Sequence, residues 1–550
     1  HAIQDWGHAY SYQTYLNHPR YWQVIWQIRC NGTHRLFRWG DDEFMRQTVR
    51  SCYFGDGIGF TMEPITAYYS QLPEQYFLRP EDVPFADYIF ERHWNWYLMW
   101  GRLAYDPDTP DDVFVHQFRR HFGDAEGERV YRLLQASSRI IPTIYQSHCL
   151  SADHRGMAPE FECGNAGGDL FKFTRVYPVD RYRHYSIDGY ADSLLRNWQS
   201  ARITPLEVAD ALDAAATECD TLMAAITRVS AEGGAEYRDL ASDAQMLVAL
   251  GRYYAEKMRG GTALALYRRS GDYSCLDAAR PHIENAVRHW DRLATIGEGK
   301  YQPLLDKLRM HTETFTWRAE GRKVHDDLAL LDRLEAEAAA VEDLRTGHVL
   351  VHRVRPGQPV VLRAGVSSVD GVTATLRYRI DKAEWQTVLM SPAGPHTLAA
   401  TIPAGGLRDA SLLTYQIQVV GRGGRVTFPS PGARQKVAIT SDERGPSIRV
   451  RKPKDPEGKE SVRIEATVSD RSGVAEVRLL HKVMPTGNGR DWQTTPMSKI
   501  GGRYVGDLPL TPEGALYGVE AIDRYGNASR YPAPRGTPPP YLAIDPWLTE

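Results

Sequence analysis

Glu63 is the residue whose type and context best suit it to catalysis. The run Gly57-Ile58-Gly59-Phe60-Thr61-Met62 reads as a short buried strand, and Pro64 turns the chain outward just after Glu63. A carboxyl group on such a rim can protonate a glycosidic oxygen or attack an anomeric carbon. The same residue could instead be a salt-bridged structural glutamate. Tyr68 and Tyr69 follow in the same loop, where their rings could stack on sugars and their hydroxyls bond sugar hydroxyls, or simply pack the loop. Arg29 and Arg92 could hold a uronate or sulfate group bidentately, with His93 and Trp94 beside Arg92, and Asn31 and Arg38 in the segment after Arg29. The alternative for Arg92 is an acidic neighbour, with the tryptophans filling a seam. The polar stretch from His148 to Glu162 has neither helical nor strand period, and its His154, Arg155 and Glu160 could reach over the rim. Together with Asp153 and Glu162 they could bind Ca²⁺ or Zn²⁺, but no metal-ligand spacing stands out, so no cofactor is expected beyond a structural Ca²⁺. P-loop, GxGxxG, GxSxG and HExxH patterns are absent, which removes the usual support for phosphate, dinucleotide, serine-hydrolase and zincin chemistry.

These residues need elements to position them. Tyr21 to Arg29 alternates aromatic and β-branched residues as a strand does, and Asn31-Gly32 ends it. Asp41 or Asp42 can cap a helix running to Ser51, and the strand ending at Met62 follows. A long helix over Phe85 to Leu103 completes the pattern. Strand, helix, strand is a βαβ unit, whose chemistry belongs at the carboxyl ends of the strands, and Arg29, Asn31, Thr33 and Glu63 to Tyr69 stand there. Two strands do not close a (β/α)₈ barrel, so residues 1–83 are expected to be its last units, completed by an upstream segment or a second chain. An open α/β layer is the alternative.

Residues 84–345 are expected to form a helical domain with an irregular region at 146–200. Thr204-Pro205-Leu206-Glu207 has the composition of a capping box with proline at the first helical position, and Leu206, Ala209, Leu212, Ala216, Cys219, Met223, Ile226 and Val229 share one face beyond it. Further stripes at 246–254 and 328–334 are divided by Gly233-Gly234, Gly260-Gly261 and Gly297/Gly299. At Thr346 the period becomes alternating, and the tail repeats. Leu376-Arg377-Tyr378, Trp385-Gln386-Thr387, Met390 and Tyr415 to Val419 match Val477-Arg478-Leu479, Trp492-Gln493-Thr494, Met497 and Tyr517 to Ala521. Two β-sandwiches at 346–442 and 443–550 are expected, which makes the whole a multidomain α/β plus α plus all-β chain.

Lys plus Arg (66) nearly balance Asp plus Glu (69), which disfavours nucleic acid as a partner, and no apolar run suits a membrane span. Six cysteines, all before residue 276, are too sparse for a disulfide scaffold; a bridge between Cys149 and Cys163 and free buried thiols are both open. A chain beginning at His1 without methionine implies processing or omitted upstream residues.

The two repeated units resemble fibronectin type III or immunoglobulin-like modules of bacterial extracellular proteins, which implies a secreted, periplasmic or cell-surface location. The segment Asn95-Trp96-Tyr97, Gly101-Arg102-Leu103-Ala104 and Asp106-Pro107 resembles the post-barrel helix of family 67 α-glucuronidases and related glycoside hydrolases, with one extra residue between Tyr97 and Gly101. That resemblance implies a barrel end, a helical domain and a carbohydrate substrate. The family's catalytic carboxylates lie on earlier strands and match nothing here. The expectation is a secreted glycoside hydrolase, or a fragment of one. Its rivals are a polysaccharide lyase, in which Tyr or His removes a uronate C5 proton while Arg neutralises the carboxylate, and a non-catalytic carbohydrate-binding or assembly protein.

Overall fold

A computed structural model describes residues 23–28, 36–52, 57–62, 72–148, 170–178, 181–197, 200–305, 314–453, 459–483, 492–511, 514–535 and 542–544. Strands β1 (Val24–Ile28) and β2 (Gly57–Met62) pair in parallel around α1 (Asp42–Ser51), with Trp26 opposite Phe60 and Ile28 opposite Met62. Asp41 caps α1, its Oδ1 accepting from the Phe44 amide at 3.0 Å. Trp26, Phe60 and Met62 pack on a core containing Trp39, Met45, Trp96, Met99 and Trp100, while Ile25 on the opposite face is 56% exposed. Among the described residues the parallel sheet has two strands.

The helix expected over Phe85 to Leu103 is instead two, α2 (Ile89–Arg92) and α3 (Trp94–Tyr105), broken at His93. Consecutive positions on an unbroken helix point about 100° apart. The break lets Arg92 and His93 both enter one buried seam. Then come α4 (Asp111–Phe122), α5 (Gly127–Ser138) and α6 (Ile140–Ser147), followed by α7 (Leu170–Arg175) and α8 (Ile187–Leu195), two short helices inside the stretch read as irregular.

Four long helices follow: α9 (Pro205–Ala225), α10 (Gly234–Ser270), α11 (Ser274–Lys300) and α12 (Trp317–Ala339). The capping box on α9 forms as composition implied, with Thr204 Oγ1 accepting from the Glu207 amide and Glu207 Oε2 accepting from the Thr204 amide. Gly260-Gly261 and Gly297/Gly299 are helix interiors, not the breaks they were expected to be. A Cβ on Gly260 would come within 2.6 Å of Ile283, and one on Gly297 within 2.5 Å of Trp317, so both glycines serve close helix approach. The true break is Gly271, whose φ of +67° ends α10 in the left-handed region.

From Thr346 onward the chain forms sheets in two units. In the first, a four-stranded and a six-stranded sheet share one buried cluster including Leu362, Leu376, Tyr415 and Val437. In the second, a four-stranded and a five-stranded sheet enclose Ile464, Leu479, Leu508 and Val519. Corresponding strands pair in the same order. Gln386 and Tyr415 both oppose Tyr378, and Gln493 and Tyr517 both oppose His481. The repeat is therefore offset by two residues in this strand from its sequence alignment: Leu376-Arg377-Tyr378 corresponds to Leu479-Leu480-His481. An even offset keeps every side chain on its own face, which is why the hydrophobic pattern did not reveal it.

Both units dock on the helices. Asp272 accepts from the Val349 amide at 2.8 Å, and Asp277 from the His396 amide and the Thr397 hydroxyl. Arg530 and Glu520 of the second unit pair at 2.7 Å and bind Ser200 from both sides.

His348 links the sheets of the first unit. Its neighbours assign the tautomer: Nδ1 donates to the Arg363 carbonyl at 2.6 Å, and Nε2 accepts from the Tyr415 hydroxyl at 2.7 Å. Burial pushes this imidazole down to about 4 from an ordinary 6.5. The unfolded chain takes up a proton near 6.5 and the folded one does not, so the contribution is whole above pH 6.5 and shrinks as pH falls toward 4. Calorimetry should show the melting of this unit falling across that interval. His348→Gln, which keeps one donor and one acceptor, should flatten the slope.

Candidate functional site

The chain leaves β1 and β2 at the same end, after the paired residues Ile28 and Met62. Parallel α/β units bind ligands at this end. Arg29, Asn31, Glu63, Tyr68, Tyr69, His154, Arg155 and Glu160 lie outside the described residues, as do Cys149 and Cys163. Of the expected site residues, Arg38, Arg92, His93 and Trp94 are described, and they converge on one buried cluster.

Leu36 and Arg38 lie where the chain returns from the rim. The Arg92 guanidinium donates to the Leu36 carbonyl at 2.5 Å, to Asp239 at 2.8 and 3.1 Å, and to Asp243 at 2.5 Å. Asp243 also accepts from the Arg38 amide at 2.8 Å, Lys300 Nζ at 2.5 Å and the Tyr301 hydroxyl at 2.6 Å. The Arg38 guanidinium lies 2.8 Å from Glu236, which also accepts from Trp94 Nε1 at 2.7 Å and contacts His121 Nδ1 at 3.0 Å. Arg38 and Arg92 are each 1% exposed. Three cations, Arg38, Arg92 and Lys300, thus meet three carboxylates, Glu236, Asp239 and Asp243, with Asn95 joining Arg38 to the Trp39 carbonyl.

The electrostatics follow from this pairing. Burial opposes ionisation of Glu236, yet Arg38 with the His121 and Trp94 hydrogen bonds brings its carboxyl down to about 2. Asp239 is likewise held below its ordinary range by Arg92 and Lys300, against its own burial. Burial, reinforced by Arg92 and Arg38, pushes the His93 imidazole well down, so it is neutral at physiological pH.

This corrects part of the sequence reading. Arg92 was expected either to grip an acidic sugar or to pair with an acidic neighbour, and it pairs with Asp239 and Asp243. Arg38 pairs with Glu236, His93 is buried beside Arg92, and the partly exposed Trp94 donates to Glu236. The cluster fixes the backbone at Leu36 and Arg38, through the Leu36 carbonyl and the Arg38 amide. The acidic partners had a legible signal: Glu236, Asp239 and Asp243 are spaced three and four apart, in phase with Leu247 and Leu250 on α10.

At the other polar stretch, His148 is buried against Phe173, with ring centres 3.9 Å apart; burial and then Lys257 push it to about 3. Cys52, Cys219 and Cys275 are free and buried. In the second sheet unit, Asp442, Asp470 and Asp523 bring carboxylate oxygens within 4.8 Å of one another. Such oxygens suit a hard cation. Asp470 already accepts from the Ser472 amide and hydroxyl, and Asp523 from the Tyr525 and Asn527 amides. Sequence spacing did not disclose this group because its members come from two loops and the end of a strand far apart in the chain. No helix among the described residues is long and apolar enough to cross a membrane.

No family model and no curated protein matches the chain. Among solved structures, a GH138 enzyme targeting pectin rhamnogalacturonan II is similar at a TM-score of 0.48 and 14% identity, over 57% of this chain and 48% of that one. The chain thus spans about half the length of that enzyme. A chimeric titin Z1Z2-Z1Z2 tandem is similar at a TM-score of 0.16 and 20% identity, over 34% of this chain and 93% of that one. Both likenesses are too weak to define an activity for this chain.

Proposed function

We propose that this chain is part of a secreted glycoside hydrolase acting on a polysaccharide or oligosaccharide, in which β1, α1 and β2 are the end of a (β/α)₈ barrel. The two C-terminal units are then β-sandwich modules of fibronectin type III or immunoglobulin-like kind. The observation that carries this reading is the parallel register: Ile28 and Met62 are paired, and the next residues in sequence are Arg29 and Glu63. A strand-end rim with a carboxylate and an arginine offers one of the two carboxyl groups that glycoside hydrolysis uses and a cation for an acidic sugar. The exposed face at Ile25 is the side that further barrel strands, from upstream or from another chain, would cover. The ion network holds Leu36 and Arg38, which follow the β1 loop in sequence, and so offers the rigid support that a catalytic loop needs.

Glu63 acts as acid, base or nucleophile across the glycosidic bond in this reading. Glu63→Gln should lower hydrolysis by a preparation that cleaves glycan at least about a hundredfold, with an unchanged melting profile. Retained hydrolysis would remove Glu63 from the chemistry. An unsaturated, ultraviolet-absorbing product would replace hydrolysis with elimination.

A further inference from the structure

The two sheet units show one surface in two settings. Trp492 stands just before strand Gln493–Pro496, as Trp385 stands just before strand Gln386–Leu389. In the second unit this face is covered by the helical part of the chain. Trp492 packs on Tyr182 with ring centres 4.4 Å apart, Arg530 lies 4.3 Å from the centre of the same ring, and Glu520 accepts from Ser200 and the Ala201 amide.

The same face of the first unit carries a different set. Arg377, Arg379 and Arg434 place their guanidinium carbons 4.9, 5.0 and 5.6 Å from the centre of the Trp385 ring. Arg377 is exposed, and Arg379, Trp385, Arg434 and Gln416 are partly exposed. Gln416 pairs directly with Arg377 across the sheet, and exposed Lys436 lies on the neighbouring strand opposite Thr414. Among the described residues none of the three arginines is in an ion pair, and of their side chains only that of Arg434 donates a hydrogen bond, to the Ala433 carbonyl. Three guanidiniums gathered on one indole, with no carboxylate partner among the described residues, are a concentrated positive charge.

We propose that this face of the first sheet unit binds a carboxylate-bearing glycan chain, as a site separate from the strand-end rim. The indole holds the guanidiniums in place, so less side-chain freedom is lost when a ligand arrives. Each guanidinium can then take a carboxylate through two parallel bonds, and the indole offers an apolar surface to a pyranose ring. Gln416 and Thr387 flank Arg377 with groups that bond hydroxyls. Because the cations are partly exposed, added salt should weaken the binding. The choice of a glycan over an acidic peptide rests on reading the chain as carbohydrate-active.

Affinity electrophoresis of the full chain in gels containing polygalacturonate tests this, with fully methyl-esterified polygalacturonate and poly-glutamate as comparison matrices. The expected result is retardation by the acidic polysaccharide, weakened by salt, and little by the ester or the polypeptide. Trp385→Ala and the pair Arg377→Gln/Arg379→Gln should each raise Kd at least about tenfold. The exposed Arg377→Gln alone should weaken binding with an unchanged melting profile, which separates loss of the site from loss of the fold. Equal retardation of all variants, equal retardation by the ester, or equal retardation by poly-glutamate would each overturn the proposal. Glu63→Gln should bind as the parent does. If binding through Trp385 persists while no preparation cleaves glycan, the enzyme reading fails and this one stands; cleavage with no retardation has the opposite meaning.

Discussion

Asp243→Asn should lower the melting midpoint of the helical part by on the order of 10 °C. Asp243 accepts from Arg92, the Arg38 amide, Lys300 and Tyr301 in a site where its side chain is 2% exposed. Removing the charge leaves Arg92 and Lys300 with one carboxylate fewer in a region closed to water. Breaking a buried pair in this way costs about 3–5 kcal/mol, because the abandoned partner keeps its desolvation penalty. Calorimetry of the full chain would read the effect, and a midpoint within a degree or two of the parent would mean that the network relaxes around the loss. The same network predicts an acid limit. Glu236 and Asp239 have folded values below their ordinary 4.5 and 3.8, so their contribution is complete above those values; that of Glu236 is lost as pH falls toward about 2, and that of Asp239 at still lower pH.

At the other end of the molecule, Arg530→Ala should loosen the second sheet unit from the helices by about 3–5 kcal/mol. Arg530 binds Glu520, the Tyr182 carbonyl and Ser200, and its loss leaves a Glu520 side chain that is 2% exposed with only the longer contact to Arg478 at 3.6 Å. Burial works against the Glu520 charge, and Arg530, Ser200 and the Ala201 amide together hold its carboxyl below the ordinary range. The readout is local. The Ala201 amide, which donates to Glu520 at 3.1 Å, should exchange its hydrogen at least about a hundredfold faster in the variant. Unaltered exchange there, with an unaltered melting profile, would place the docking energy in the Trp492 and Tyr182 contact instead.

Short-range signals in the sequence were sufficient for β1, α1, β2 and the capped start of α9. Each rests on residues within four positions of one another: the Asp41 cap, the Thr204 and Glu207 box, the alternation of aromatic and β-branched residues. The repeat was equally legible, because Trp385 and Trp492, and Met390 and Met497, recur with their neighbours. The glycines of α10 and α11 misled for a physical reason. Glycine signals a turn when the backbone needs a positive φ, as at Gly271, and a close approach when a neighbour occupies the place of a Cβ, as Ile283 does at Gly260 and Trp317 at Gly297. Sequence does not distinguish the two.

Residue type determined that Arg38, Arg92 and Trp94 would matter, and tertiary structure decided for what. Their partners Glu236, Asp239, Asp243 and Lys300 lie far along the chain, with Arg92 and Asp239 separated by 147 positions. An arginine awaiting a substrate and an arginine bound to a distant aspartate look alike until the chain is folded. The same holds for the two tryptophans of the repeat, identical in local sequence: Trp492 meets Tyr182, while Trp385 gathers three arginines on an open face. Pairing between distant segments depends on how helices and sheets stack, and it set the fate of each charge.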